Sequence, residues 1–483
     1  MIFLSEESCR KMTPKCNYRI KKLLFLVLLS PIYILLGCDD GTGSKELKLD
    51  PTKIVALGDS LVAGVQSNGL VQDFQENNFP FLISQQIDER KRFEQPLIAS
   101  PGLSTNSSFG TAPLTFEDGE IVFNNPDIDP DSLLVNFFLP RPYNNLGIPG
   151  AELFDASNTT SSDTNQFFEF ILRGLGTQLE QTIALDPSLI LLWLGNNDVL
   201  GAVLSGGNLD NITPEDEFMV EYKSLLETLH NNTSADIVIA NIPDVTEVPF
   251  CTFSKRIFRT VPRLGIESPV PVIFDDDFNP IDFGDNLFIP LLTDESNVVH
   301  LLFSAIFAYL GGIGIPDQEA LEDMGFSTAE AETIVSKILM EGLNPTGIPL
   351  NENLTLSGFE KTNVQEAVSR FNSIISELAS EHDIPVVDMF NAYKLLIAEG
   401  VDGYSGDFVL EDAVITAFSL DGVHPNNGGY AIIANLFIEA INQSLNQEIK
   451  LLDTDDFRGQ YADMIDNQLL LKDVFMNLLK SPR

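Results

Sequence analysis

A serine that follows a short apolar segment is the first residue whose type and position suit chemistry. Ser60 lies in the motif Gly58-Asp59-Ser60-Leu61, directly after the apolar segment 53–58. If that segment is a strand of a parallel sheet, Ser60 exposes its hydroxyl at the carboxyl edge, where ligands bind in such folds. Its backbone N–H then lies at a helix N-terminus, which favours developing negative charge. Taken alone, the motif also fits a serine that only caps a helix.

The candidate general base is a histidine with a carboxylate close before it. Asp421 precedes His424 by three residues, and Pro425 follows. An aspartate at this spacing can accept a hydrogen bond from the imidazole Nδ1–H, which fixes the tautomer and stabilises the imidazolium. Among the four histidines only His424 combines a nearby acid with a loop position before a helix; the others are His230, His300 and His382. We therefore predict that Asp421 and His424 activate Ser60.

Two further segments offer hydrogen-bond donors for a developing oxyanion. Residues 145–150 (NLGIPG) contain glycines whose backbone N–H can approach a substrate oxygen closely. Residues 195–198 (GNND) follow the apolar segment 189–194 and offer a side-chain amide that donates without titrating. Each segment taken alone also fits an ordinary turn.

Together, and in this order, the four segments resemble the SGNH (GDSL) hydrolase superfamily, whose sequence blocks are named after Ser, Gly, Asn and His. The resemblance covers about residues 53–245 and 363–446. It implies that Ser60 is the nucleophile and that His424 is the base, with Asp421 as its partner. The oxyanion hole that it implies consists of Ser60, Gly150 and Asn197.

One choice within the second segment depends on the family pattern. Gly147 and Gly150 are both candidates for the oxyanion glycine. The pattern of the family places this glycine five residues after the asparagine of the block, which is Asn145 here. The resemblance therefore favours Gly150.

The activity that the resemblance implies is ester hydrolysis by a serine esterase or lipase, through an acyl-enzyme. The substrate would be a small-molecule, lipid or glycan ester, with neither a metal nor an organic cofactor. Two alternatives remain. An acyltransferase would use the same site to pass the acyl group to a glycan or lipid, and a surface binding protein would keep the fold without catalysis. The complete set of site residues argues against the binding protein.

The fold predicted around these residues is α/β. Short apolar segments that alternate with helical ones indicate a parallel sheet with helices on both faces. The segments predicted as strands are 53–58, 189–194, 236–240 and 384–388, with a short fifth at 143–148. Helices are predicted over 167–184, 215–230, 364–379 and 427–445. The family fold is a flavodoxin-like, three-layer α/β/α domain with five parallel strands, which agrees with this count.

Three regions depart from the alternating pattern. Residues 70–143 are loop-like, with a possible hairpin near 119–138, and residues 250–362 form a largely helical insertion. Within the insertion, residues 297–316 contain no charged side chain. They predict a buried helix of the insertion or a lid over the ester site. A membrane span is not expected, because the sequence offers no second span that would return the chain to the same side of the bilayer. Residues 447–483 are predicted to be a C-terminal helical extension.

The N-terminal region is predicted to be a targeting segment. Basic residues precede the apolar run 23–36, which ends in Gly37-Cys38 and resembles a bacterial lipobox. This pattern predicts a signal peptide (1–37), lipid attachment at Cys38, a tether (38–50) and a hydrolase domain (51–446). The protein would then be a cell-envelope lipoprotein at the outer membrane or cell surface. After processing only Cys251 remains unmodified, so no intramolecular disulfide is expected.

The charge of the chain bears on its partners. The sequence has 28 Lys and Arg against 70 Asp and Glu, a net charge of −42. A surface of this sign repels phosphate backbones, so nucleic acid is not an expected partner. The acidic stretch 275–285 offers oxygens that suit calcium, but it lacks the spacing of an EF-hand loop, and we predict no metal site.

Overall fold

The computed structural model of the chain describes residues 53–252 and 312–458, together with the backbone at 273–274 and 298–300. Short gaps within these ranges are 91, 108–109, 118–119, 324, 341–343, 349, 352–354 and 407–414. Several sequence predictions fall outside the described residues: the signal peptide, Cys38, the tether, the acidic stretch 275–285, most of 297–316 and the chain beyond 458.

Five parallel strands form the central sheet. They are β1 (Ile54–Gly58), β2 (Asn145–Gly147), β3 (Leu189–Trp193), β4 (Asp236–Ala240) and β5 (Val386–Val387). Their order across the sheet is β5-β4-β3-β1-β2, and every pair is parallel. This is the flavodoxin-like strand order, 2-1-3-4-5 when read from the other edge. The predicted α/β fold with five parallel strands is confirmed.

The strand register explains why the sequence motifs meet. Gly58, the last residue of β1, lies opposite Gly147 of β2 and Trp193 of β3. The segments that follow these three strands therefore leave the sheet side by side at its carboxyl edge. They carry Ser60, Gly150 and Asn197 respectively, so the topology places all three motifs in one region.

The helices, numbered in chain order, are α1 (Ser60–Ala63), α2 (Gln72–Gln75), α3 (Phe79–Ile87), α4 (Asp155–Asn158), α5 (Phe167–Leu172), α6 (Gln178–Ala184), α7 (Asn197–Leu204), α8 (Glu215–Asn232), α9 (Gln318–Asp323), α10 (Thr328–Met340), α11 (Gly358–Glu381), α12 (Met389–Ala398) and α13 (Asn427–Ser444). Single 3-10 turns are formed at Pro130–Leu133, Leu209–Asn211 and Thr454–Phe457. None of the helices in the described ranges has the length and apolarity needed to cross a bilayer.

The alternation of side chains along β3 builds two core layers. Leu189, Leu191 and Trp193 are buried with the apolar residues of α3 and α13 on one face of the sheet. Ile190 and Leu192 are buried with those of α8 and α11 on the other face. Because both faces are covered, the strand is apolar throughout, as expected for a central parallel strand. Each fully buried side chain of this size contributes about 1.5–3 kcal/mol to stability.

Two predicted elements differ in the structure because of local turn signals. The helix predicted over 167–184 is two helices, α5 and α6. Arg173 adopts a left-handed conformation between them (φ 53°), and Thr177 starts α6 with a capping box that includes Glu180. The hairpin predicted near 119–138 lies earlier, because Thr115–Glu117 pairs with Glu120–Val122.

The described part of the insertion contains strands as well as helices. Val298–His300 pairs antiparallel with Thr355–Ser357, and Ile273–Phe274 pairs parallel with Leu350–Asn351. The prediction of a helix over 297–316 is therefore wrong for residues 298–300, which are a strand, and residues 312–316 are turn and loop. Helices α9 and α10 agree with the predicted helical content, but the described insertion also contains these two short strand pairs and several turns.

Candidate active site

The turn from β1 into α1 holds Ser60 at the carboxyl edge of the sheet. Asp59 caps α1, since its Oδ1 accepts the N–H of Leu61 at 2.9 Å. From the neighbouring strand β2, the Asn145 amide donates to the carbonyl of Val62 at 2.8 Å. Gly147 lies so close to α1 that a Cβ there would be 2.3 Å from the backbone nitrogen of Ala63. The Ser60 turn is thus fixed from both sides.

Ser60, His424 and Asp421 form one hydrogen-bonded chain. The Ser60 Oγ lies 2.9 Å from His424 Nε2, and His424 Nδ1 lies 2.9 Å from Asp421 Oδ2. An ionised carboxylate only accepts hydrogen bonds, so Nδ1 carries the proton and Nε2 of the neutral imidazole accepts from Ser60. The His424 and Asp421 side chains are 14% and 11% exposed. The imidazole is therefore largely shielded from solvent but not fully buried.

Several donors converge on the Asp421 carboxylate besides the imidazole. Its Oδ1 accepts the backbone N–H groups of Val423 and His424, each at 2.9 Å, and its Oδ2 accepts the N–H of Asn68 at 2.6 Å. Burial alone would raise the pKa of Asp421. The positive charge that His424 carries when it is protonated and the donated hydrogen bonds outweigh burial, and they lower the pKa of Asp421 below its ordinary value. Asp421 is thus held ionised beside the imidazole.

Gly150 offers a backbone N–H in the segment that leaves the sheet next to the Ser60 turn. It is exposed and left-handed (φ 78°), a conformation that glycine adopts without strain. In the described part of the chain, no group accepts a hydrogen bond from the N–H of Gly150 or of Ser60. The alternative, Gly147, donates its N–H to Asn145 Oδ1 at 2.9 Å. The geometry therefore favours Gly150 as the oxyanion donor.

The two adjacent asparagines after β3 have different surroundings. Asn196 is buried, and its amide donates to Asp59 Oδ2 at 2.8 Å. Asn197 is partly exposed, and its amide donates one hydrogen to the carbonyl of Ala151 at 2.8 Å. Because an amide NH₂ has two hydrogens, Asn197 keeps one for a ligand. Its bond to Ala151 also links it to the loop that carries Gly150.

Two buried carboxyls lie behind these donors. Asp59 binds Asn196, as described above, and Asp198 accepts the N–H of Leu153 at 2.9 Å and the hydroxyl of Thr213 at 2.8 Å. Desolvation raises the pKa of both carboxyls to about 6, against the lowering effect of their hydrogen bonds. These acids connect the turn of Ser60 to the segments of Asn197 and Gly150.

The raised pKa of Asp198 predicts a pH-dependent stability. Its folded pKa of about 6 exceeds the ordinary 3.8, so the folded chain binds this proton more tightly than the unfolded chain. The stabilising contribution is therefore complete below about pH 4 and is lost as the pH rises through 6. Asp198→Asn cannot ionise, and we expect its free energy of unfolding, relative to wild type, to increase by about 2–3 kcal/mol between pH 4 and pH 8.

Urea unfolding at pH 4, 6 and 8 measures this difference, with the fluorescence of Trp193, the single tryptophan, as the signal. Asp186→Asn is the matched control, because the Asp186 side chain is 79% exposed. A difference between Asp198→Asn and wild type that stays constant with pH would contradict the prediction.

The residues that support the site are not evident from the sequence motifs. Asp59 and Asn196 lie within the motifs around Ser60 and Asn197, but the motifs assign no role to either of them. Ser67 and Asn68 lie outside the motifs and precede Gly69 in a turn beside Asp421. The Asn-Gly pair was a recognisable turn signal, but its contact with the acid is not encoded locally.

Part of the chain matches one known protein family. Residues 54–267 match the family described as GDSL-like Lipase/Acylhydrolase. The chain is therefore similar to this family over somewhat less than half of its length. The matched segment includes Ser60, Gly150 and Asn197, whereas Asp421 and His424 lie beyond it. In the structure α13, which follows His424, packs against α3 of the matched segment.

Among solved structures, the chain is similar to the lipase/acylhydrolase from Enterococcus faecalis, at 12% sequence identity and a TM-score of 0.25. This likeness covers 63% of the chain and 77% of that protein. No curated protein matches the sequence. Within the described ranges, no three His, Cys, Asp or Glu side chains are grouped in a way that could hold a metal ion.

Proposed function

We propose that this protein is a serine hydrolase that cleaves carboxylic esters through an acyl-enzyme. The observation that carries the proposal is the hydrogen-bonded chain from Ser60 through His424 to Asp421, with 2.9 Å at each step. The backbone N–H groups of Ser60 and Gly150 have no acceptor among the described residues, and the Asn197 amide keeps one unused hydrogen. A nucleophile, a base with its acid and an oxyanion hole are the parts that acyl transfer needs.

In the first half of the proposed reaction, Ser60 Oγ attacks the ester carbonyl carbon while His424 Nε2 takes the hydroxyl proton. The carbonyl oxygen becomes an oxyanion, which accepts hydrogen bonds from the Ser60 and Gly150 N–H groups and the free amide hydrogen of Asn197. Asp421 stabilises the imidazolium, because its own pKa keeps it ionised. His424 then protonates the leaving alkoxide, and the acyl group remains on Ser60.

Water completes the second half of the cycle. His424, neutral again after it has protonated the alcohol, takes a proton from a water molecule that attacks the acyl-enzyme carbonyl. The same three donors stabilise the second oxyanion. Its collapse returns the proton to Ser60 Oγ and releases the carboxylic acid. Every proton in this scheme passes through His424 Nε2, which is why the tautomer set by Asp421 matters.

Hydrolysis of a panel of esters tests the proposal. We expect the purified protein to release p-nitrophenolate from esters between acetate and palmitate, with acetylated xylan and a phospholipid measured alongside. A preference for acetyl groups would indicate deacetylation of glycans, and a preference for long chains would indicate a lipase. Absence of turnover on every one of these substrates would refute the proposed hydrolase.

Loss of the Asn197 amide is expected to slow the chemical step. Asn197→Ala removes one oxyanion donor and should lower kcat by roughly 10²–10³-fold, with a smaller change in KM. Steady-state kinetics on p-nitrophenyl acetate measure both parameters. Asn232→Ala is the control, since its amide also donates to a backbone carbonyl, that of Thr228, but at the end of α8. A kcat for Asn197→Ala equal to that of the control would remove Asn197 from the oxyanion hole.

We also propose that the protein is anchored to the membrane by lipid at Cys38. The support is the sequence pattern of basic residues, an apolar run and Gly37-Cys38. Cys38→Ser should block lipid attachment and signal cleavage together and leave an uncleaved precursor. Mass spectrometry of the mature N-terminus in wild type and variant measures this. An unmodified N-terminus at another residue in wild type would exclude the anchor.

A further inference from the structure

A tight turn outside the motifs contacts the acid of the site. In the turn 66–69, Gln66 and Gly69 exchange both backbone hydrogen bonds, at 3.0 and 2.9 Å. The two central residues, Ser67 and Asn68, are both left-handed, with φ values of 50° and 62°. This is the geometry of a type I′ turn, which a residue other than glycine or asparagine adopts at some cost.

The turn binds the loop of Asp421 through three hydrogen bonds that connect positions about 350 residues apart in sequence. Asn68 donates its N–H to Asp421 Oδ2 at 2.6 Å, the oxygen that faces the imidazole. Ser67 donates its N–H to Ser419 Oγ at 2.8 Å and accepts the N–H of Leu420 at 3.4 Å. Ser419 in turn donates its hydroxyl to Asp421 Oδ1 at 3.2 Å. The turn therefore contacts Oδ2 of Asp421 directly and Oδ1 through Ser419.

The turn itself is held by the Asn68 side chain, which is buried. Its amide donates to Ser104 Oγ at 2.9 Å and to the carbonyl of Asn106 at 3.1 Å. Its oxygen accepts the hydroxyl of Thr105 at 3.1 Å. These three bonds fix the left-handed residue whose N–H reaches Asp421. The orientation of the carboxylate thus depends on a segment that lies far from it in the sequence.

We propose that Ser419 is a positioning residue for the reaction, acting through Asp421 together with the turn 66–69. Its hydroxyl touches no reacting atom. It receives the Ser67 N–H and passes a hydrogen bond to Asp421 Oδ1, which leaves Oδ2 directed at His424 Nδ1. The inference rests on the proposed hydrolase function. A fully buried serine can also contribute to stability alone, and the experiment must separate the two roles.

A double-mutant cycle with Asp421 separates them. Ser419→Ala should lower kcat on p-nitrophenyl acetate by about tenfold, the effect of losing one hydrogen bond to a charged group, and leave KM unchanged. In the Asp421→Ala background the same substitution should cause no further loss, because its target is gone. Losses that multiply in the double variant, or a wild-type kcat in Ser419→Ala, would overturn the proposal.

Ser84→Ala is the matched control. Ser84 is also fully buried, and its hydroxyl donates to the carbonyl of Phe81 at 2.7 Å on α3. Its loss should lower the thermal midpoint without changing kcat.

If Ser419→Ala does not fold, Asn68→Gly replaces it in the cycle. Glycine keeps the left-handed N–H but loses the side-chain bonds, so kcat should fall about threefold to tenfold with Asp421 present and not at all without it. An equal loss in both backgrounds would overturn the proposal.

Ser60→Ala is measured in the same series. If it retains turnover, the proposed hydrolase function fails. If it is inactive while Ser419→Ala matches wild type, only the positioning role fails.

Discussion

Ser60→Ala is expected to lower kcat/KM for p-nitrophenyl acetate by roughly 10⁴–10⁶-fold, the range seen when the nucleophile of a serine hydrolase is removed. The Ser60 hydroxyl has one side-chain contact in the described structure, the 2.9 Å bond to His424 Nε2. Its loss therefore removes the attacking atom without disturbing the core. Initial rates at several substrate concentrations, together with the thermal unfolding midpoint, measure the two effects separately.

The control for this prediction is Ser84→Ala, which removes a buried hydroxyl from α3 and should keep its activity. A residual rate with Ser60→Ala within tenfold of wild type would mean that another nucleophile carries out the reaction. A large drop in the thermal midpoint would instead mean that Ser60 supports the fold, which its single side-chain contact does not predict.

His424→Ala is expected to lower kcat by roughly 10⁴–10⁶-fold as well, because Ser60 then has no base to take its proton. KM should change much less, since the imidazole is mainly in contact with Ser60 and Asp421. In the His424→Ala variant, kcat should also depend little on Asp421, because the imidazole that Asp421 orients is gone. We therefore expect Asp421→Ala in the His424→Ala background to cost less than threefold, whereas it acts strongly in wild type.

The matched control is His382→Ala, which removes a histidine whose ring contacts His230 with 5.1 Å between centroids, at the ends of α11 and α8. Its kcat should equal that of wild type. If His424→Ala kept a kcat close to that of this control, the hydrogen-bonded chain would not be the catalytic machinery, whatever its geometry.

Much of the fold was predictable because the patterns that indicate it extend over only a few neighbouring residues of the sequence. β1 and β3 are unbroken apolar segments of five residues, fully buried in the sheet, and such segments indicate central parallel strands. The break between α5 and α6 was predictable in principle from the glycines that follow Arg173. The apolar spacing of a longer helix over 167–184 concealed this break. The Arg173 guanidinium donates to the carbonyls of Phe137, Leu139 and Arg141, and these contacts are tertiary and have no local signal.

The candidate site also combines residues that short sequence patterns predict and features that only the structure explains. The motifs supplied Ser60, Asp421 and His424, because a dyad at three-residue spacing and a serine after a strand are short-range patterns. The preference for Gly150 over Gly147 came from a family pattern. The structure adds a physical reason, since the N–H of Gly147 is already bound to Asn145.

The sequence by itself determined the residue types for the chemistry and the alternation of strands and helices that brings them to one edge. Only the tertiary structure decided which of two adjacent asparagines keeps a free hydrogen, and that the turn at Asn68 holds the carboxylate of Asp421, 353 positions away. The physical reason is that hydrophobic periodicity and turn propensity act over a few residues. A hydrogen bond between distant segments depends on the register and packing of the whole sheet, which no local pattern encodes.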